Sequence, residues 1–149
     1  MKKTLKFNVS IEAPKQLVWK TMLDPDGYTA WTAPFCEGSY FSGSWDSGAK
    51  IKFLAPGGDG MTSEIAENRP FERVSIRHLG EIANGVEDTT SEKVRAWAPA
   101  YESYDFAETA SGCEVAVTLD TLPDYEQYMN DTYPKALALL KAMCEMERG

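Results

Sequence analysis

His78 and Glu102 are the two residues whose types and positions most readily suggest chemistry. His78 is the chain's one histidine. It is in phase with Val74, Ile76 and Ile82 along an apolar-alternating stretch, so it points where they point. Glu102 is in phase with Tyr104 and Phe106 on a later stretch. If the two stretches are neighbouring strands, an imidazole and a carboxylate face each other in apolar surroundings, where burial moves such groups towards neutral pH and makes an acid–base pair. The structural alternative is a hydrogen-bonded core histidine and an outward or paired glutamate. A register slip of one residue is enough to turn Glu102 outward.

Other chemistries find little support. One histidine cannot build a His-based metal cluster, and Cys36, Cys113 and Cys144 show no CxxC spacing, so neither a metal nor a cofactor is expected. No serine sits in a nucleophile elbow, and no serine pattern marks a partner for His78 in a Ser-His-Asp arrangement. The PGGDG run at 56–60 lacks the GK[ST] and the helix of a phosphate loop, which leaves it a turn.

Aromatic residues form the second constellation. Trp31, Phe35, Phe41, Trp45, Phe53, Trp97, Tyr104, Tyr128 and Tyr133 are numerous enough that many must be core. A subset can instead wall a cavity, because Tyr and Trp combine an apolar body with one polar tip, and Met129 adds an adaptable side chain. The cavity candidates are Trp31, Trp45, Phe53, His78, Trp97, Glu102, Tyr104, Tyr128, Met129 and Tyr133. His78 and Glu102 are also the catalytic candidates.

The elements that must position these residues follow from periodicity. Leu5, Phe7, Val9 and Ile11 alternate with polar residues as a half-buried strand. Pro14 opens a helix through Leu23, and Asp24-Pro25, as N-cap and first residue, open a second towards Trp31. Short strands follow at 38–41 and 50–54, then MTSEIAEN, then a longer strand from Glu72 to Ala83. Residues 84–97 break the strand pattern. There Thr89 and Glu92 read as a capping box for a short helix ending near Trp97, and the acidic run from Glu81 to Glu92 reads as a solvated loop or a lid. Strands 101–109 and 113–121 form a hairpin around Ser111-Gly112. After Pro123, Leu137, Leu140 and Met143, with Ala136 and Cys144, mark one face of a long helix. Pro134 should kink or break it. The fold class is therefore α+β: a curved antiparallel sheet covered by a long C-terminal helix, as one domain over residues 1–149.

Bulk properties narrow the partners. With 23 Asp and Glu against 15 Lys and Arg, the formal net charge is −8, which disfavours nucleic acid and anionic membrane surfaces. No run reaches membrane-span length and the N-terminus has no apolar core of a signal peptide, so a cytoplasmic location is expected. Three widely spaced cysteines fit reduced thiols.

This order of elements resembles the helix-grip fold of the START/Bet v 1-like (SRPBCC) superfamily, and the details resemble its branch of heat-shock-protein-90 ATPase activator homologues. AWT at 30–32, EGSYFSGSWDSGAKIKFL at 37–54, GMTSEIAENRPFERVSIRHLG at 60–80 and TYPKALALLK at 132–141 carry the resemblance, which covers essentially the whole chain. It implies a cavity between sheet and helix that takes an apolar or aromatic small molecule without a cofactor. Two other readings stay open: a cyclase- or hydratase-like enzyme using His78 and Glu102, with Tyr104 or Tyr133 orienting the substrate, and a chaperone co-regulator acting through its surface. The sequence also leaves a homodimer open.

Overall fold

The computed structural model describes residues 2–147. Strand β1 (Lys3–Ile11) leads into helices α1 (Lys15–Leu23) and α2 (Pro25–Trp31). Strands β2 (Tyr40–Gly43), β3 (Lys50–Leu54), β4 (Gly60–Arg69), β5 (Arg73–Ala83) and β6 (Val86–Asp88) follow. A one-turn helix α3 (Glu92–Arg95), strands β7 (Ala100–Thr109) and β8 (Gly112–Thr121), a 3₁₀ turn (Pro123–Tyr125) and helix α4 (Glu126–Glu147) complete the order. The eight strands form one sheet in the order β1-β8-β7-β5-β4-β3-β2, with β6 paired to β5. Every pairing is antiparallel. This is the helix-grip α+β architecture.

Alternation along the strands decides which face is covered. Val115, Val117 and Leu119 of β8 are buried while Glu114, Ala116 and Thr118 between them are only half-buried, the half-covered pattern of a sheet with one packed face. Against that face lies the helical stripe Tyr133, Ala136, Leu137, Leu140 and Cys144 of α4, all buried. Helices α1 and α2 supply Val18, Met22 and Trp31 to the same core. Cys36, Cys113 and Cys144 carry reduced thiols, with no disulfide among them.

Several local expectations change. Pro134 neither ends nor divides α4, which is helical from Glu126 to Glu147. Pro134 and Asn130, whose carbonyl loses its partner, are both exposed, so water can bond what the missing N–H leaves. Pro14 is the N-cap of α1 rather than its first residue, and Asp24 caps α2 by position, without a side-chain hydrogen bond. The cap of α3 is Ser91, whose Oγ accepts the Val94 N–H at 3.3 Å, not Thr89. Asp88 takes the N–H groups of Thr90 and Ser91 instead. Residues 84–88 are not loop. Asn84 and Gly85 both have positive φ, 53° and 79°, which turns β5 back into β6 as a tight hairpin. Gly80 permits this return, because a Cβ there would lie 2.1 Å from the Asp88 carbonyl oxygen.

Candidate functional site

Strand register brings His78 and Glu102 together. On β5 and β7, Ile76 lies opposite Glu102 and His78 opposite Ala100, so the two side chains are diagonal neighbours on the covered face. His78 Nε2 lies 2.9 Å from Glu102 Oε1. On its other side, His78 Nδ1 lies 2.7 Å from Ser63 Oγ, and Ser63 is directly opposite His78 in the β4–β5 ladder. The pairing skips Leu79 at this point, since Thr62 pairs with Gly80 and Ser63 with His78. Such an irregularity re-aims the side chains beside it. The tautomer that satisfies both contacts carries its proton on Nε2, donated to Glu102, while Nδ1 accepts from Ser63.

The other carboxylate oxygen is the focus of two tyrosines. Tyr104 on β7 donates its hydroxyl to Glu102 Oε2 at 3.3 Å, and Tyr133 on α4 donates to the same atom. Thus α4, the element that closes the fold, contributes directly to the cluster. Phe7 holds Tyr133 by stacking at 5.0 Å between ring centroids, and Phe35 meets it edge-on at 4.9 Å. Trp31 meets the Tyr104 ring edge-on at 6.1 Å and donates its indole N–H to the Met22 carbonyl at 3.0 Å.

Burial and hydrogen bonding oppose each other at Glu102. Burial alone raises a carboxyl pKa, but the contacts from His78, Tyr133 and Tyr104 together outweigh it and hold Glu102 below the usual carboxylate range. Burial and the Glu102 charge push the Tyr104 and Tyr133 hydroxyls well above the normal tyrosine value. They remain proton donors throughout the working pH range. The cluster is a carboxylate held ionised by three donors.

Ser63–His78–Glu102 has the connectivity of a Ser-His-acid triad, a pairing for which the sequence offered no serine. It is unsuited to nucleophilic catalysis, because Ser63 is fully buried and lies behind the imidazole, away from the cavity wall. Its effect is to fix the ring.

A cavity of about 640 Å³ opens beside this cluster. Of the residues expected around a cavity, Trp31, Phe53, His78, Trp97, Glu102, Tyr104, Met129 and Tyr133 lie on its wall. Trp45 and Tyr128 do not. Trp45 packs one layer behind the wall, against Phe41 at 5.2 Å and Phe53 at 5.7 Å. Tyr128 is 44% exposed and braces the segment after α2 from outside, donating its hydroxyl to the Phe35 carbonyl at 2.9 Å. Tyr28, Phe35 and Leu119 line the cavity as well, and Tyr28 sits edge-on to both Trp31 and Phe41. Around the wall stand Asp59, Glu81, Asp120, Asp124 and Lys93. Glu81 opens the acidic run read from the sequence as a loop or a lid and Asp59 lies in the PGGDG turn, whereas Asp120, Asp124 and Lys93 carry no periodic signature that would mark them.

No family profile matches the chain, and no curated protein is similar to it in sequence. Solved structures are similar in fold. The Aha1 dimer from Colwellia psychrerythraea superposes with a TM-score of 0.74 at 19% identity, over 99% of each chain. Protein CV1439 from Chromobacterium violaceum gives 0.68 at 20% identity, over 95% of this chain and 97% of that one. DynU16, a protein of the dynemicin biosynthetic locus, gives 0.71 at 17% identity, over 97% of this chain and 48% of that one. Together with the strand order, these likenesses place the molecule in the helix-grip class of α+β folds. Among the described residues no helix is long and apolar enough to cross a membrane.

Proposed function

We propose that this protein binds an aromatic or otherwise largely apolar small molecule between the sheet and α4, anchored at its polar end by the Glu102 cluster. The observation that carries this reading is one aromatic-walled cavity, about 640 Å³ in volume, with a hydrogen-bonded carboxylate on its wall. That volume lies within the range of small-molecule sites, and a few placed polar groups on an apolar wall is their usual chemistry. Glu102 engages three protein donors, which leaves room on Oε1 for a donor from the ligand.

Catalysis finds less support than anchoring. The His78 nitrogens are both engaged, and a carboxylate held below its usual range is a weak base. The likeness to the Aha1 dimer supports a homodimer, and sedimentation at several concentrations tests it.

Binding is tested with 1-N-phenylnaphthylamine, an uncharged probe that fluoresces on entering apolar surroundings. The native protein should enhance it saturably with one site per chain. Met129→Trp, which fills the cavity from a half-buried position on α4, should reduce the enhancement at least about tenfold while the chain stays folded, the order expected when a pocket loses its room. Equal enhancement by both proteins would overturn the reading.

A further inference from the structure

We infer that the cavity selects a cationic ligand, a protonated amine or other organic cation carried on an aromatic or aliphatic body. This deepens the binding reading above and rests on it. Five carboxylates line the space, those of Glu102, Asp59, Glu81, Asp120 and Asp124, against a single lysine, Lys93. That lysine is already paired, its Nζ 3.1 Å from Glu81 Oε2, and its side chain is 75% exposed. It neither reaches the interior unengaged nor offers an anion a free partner.

The interior charge is the more selective one. Glu102 is 15% accessible at its side chain and His78 only 4%, so Glu102 is the member of the pair that meets cavity contents. Its three protein partners all donate hydrogen bonds to it. A ligand group reaching it must likewise donate, and one bearing positive charge gains most in a site shielded from water. A carboxylate, sulfonate or phosphate arriving there meets like charge instead. The walls suit the same choice, since Trp31, Trp97, Phe35, Phe53 and Tyr125 present aromatic rings, whose faces attract cations. A net charge of −8 over the whole chain raises the local concentration of cations around the mouth. Fatty acids, the obvious apolar test ligands, therefore carry the wrong head group for this cavity.

Three probes of one body separate this inference from the binding reading: 4-phenylbutylamine, 4-phenylbutan-1-ol and 4-phenylbutyrate, titrated into ¹⁵N-labelled native protein at pH 8 and low salt. The amine should bind about tenfold or more tighter than the carboxylate, with the alcohol between them. The shifts should centre on residues 100–104 and 129–133. Added salt should narrow the preference. Glu102→Gln, checked for a folded spectrum, should bring the amine and the alcohol to within about threefold. If that variant fails to fold, Asp59→Asn with Asp124→Asn leaves the cluster intact and should reduce the amine-to-carboxylate ratio by a smaller factor, about threefold. Equal affinity for all three probes, or preference for the carboxylate, overturns the charge selection and leaves the cavity reading standing. No shifts from any of them at millimolar concentration sinks both.

Discussion

Tyr133→Phe removes one hydroxyl from the polar cluster with almost no change of shape. The ring keeps its stacking on Phe7 and its edge contact with Phe35, and what disappears is one hydroxyl, which donates to Glu102 and also bonds the Tyr104 hydroxyl. A hydrogen bond to a charged group contributes about 1.5–3 kcal/mol, so the variant should lose about 2 kcal/mol at pH 7. For a chain of 149 residues, that lowers the melting temperature by about 4–8 °C. The pH dependence follows from the sign of the shift. Folding holds the Glu102 carboxyl below its usual range, so its stabilisation is present above the unfolded value, about 4.3, and is lost as pH falls through the folded value. Removing one donor raises the folded value, so the gap between native and variant should shrink steadily as pH falls below about 5. Thermal unfolding followed by circular dichroism between pH 3.5 and 8 measures both effects. In a Glu102→Gln background the hydroxyl bonds a neutral amide, worth about 0.5–1.5 kcal/mol, and the cost of Tyr133→Phe should fall by about half. A variant within 1 °C of native at pH 7 would refute the reasoning, and so would an equal loss in both backgrounds.

Other perturbations probe the supports around the cluster. Ser63→Ala strands the buried His78 Nδ1 and should cost about 1–3 kcal/mol, read from urea midpoints. Leu140→Ala, at a fully buried position on α4, should cost about 2–5 kcal/mol by leaving a void between helix and sheet. Ser91→Ala removes the one side-chain cap of α3; about 1 kcal/mol should go, with faster amide exchange confined to residues 92–97. Gly80→Ala drives a Cβ into the Asp88 carbonyl, so β6 should detach from β5, and amides of residues 86–88 should lose their exchange protection while those of β7 keep theirs.

Strand and helix faces were legible because burial leaves periodic marks. Val74, Ile76 and His78 share a face in the sequence and in the fold, and Leu137 and Leu140 point to the core as their three-residue spacing requires. The meeting of His78 with Glu102 was readable too, since it needs only that β5 and β7 be neighbours in the expected register. Ser63 was not readable. Its place opposite His78 depends on the skipped residue Leu79, and one irregularity shifts pairing in a way no propensity records. The β5–β6 hairpin carries its own signal in Asn84-Gly85, the dipeptide that favours a two-residue turn, but the acidic residues after it resemble loop. Trp45 and Tyr128 illustrate a different limit. Aromatic composition distinguishes neither a cavity wall from the layer behind it nor an inner helix face from a ring bracing the outside.

Whether a small molecule enters the space between sheet and α4 is decided most directly by intermolecular NOEs to bound 1-N-phenylnaphthylamine. The account predicts cross-peaks from the probe to ring protons of Trp31, Phe53 and Tyr133, which line the cavity from α2, β3 and α4, and their loss in Met129→Trp. Cross-peaks instead to exposed aromatics such as Phe71 and Tyr40, unchanged by Met129→Trp, would contradict it.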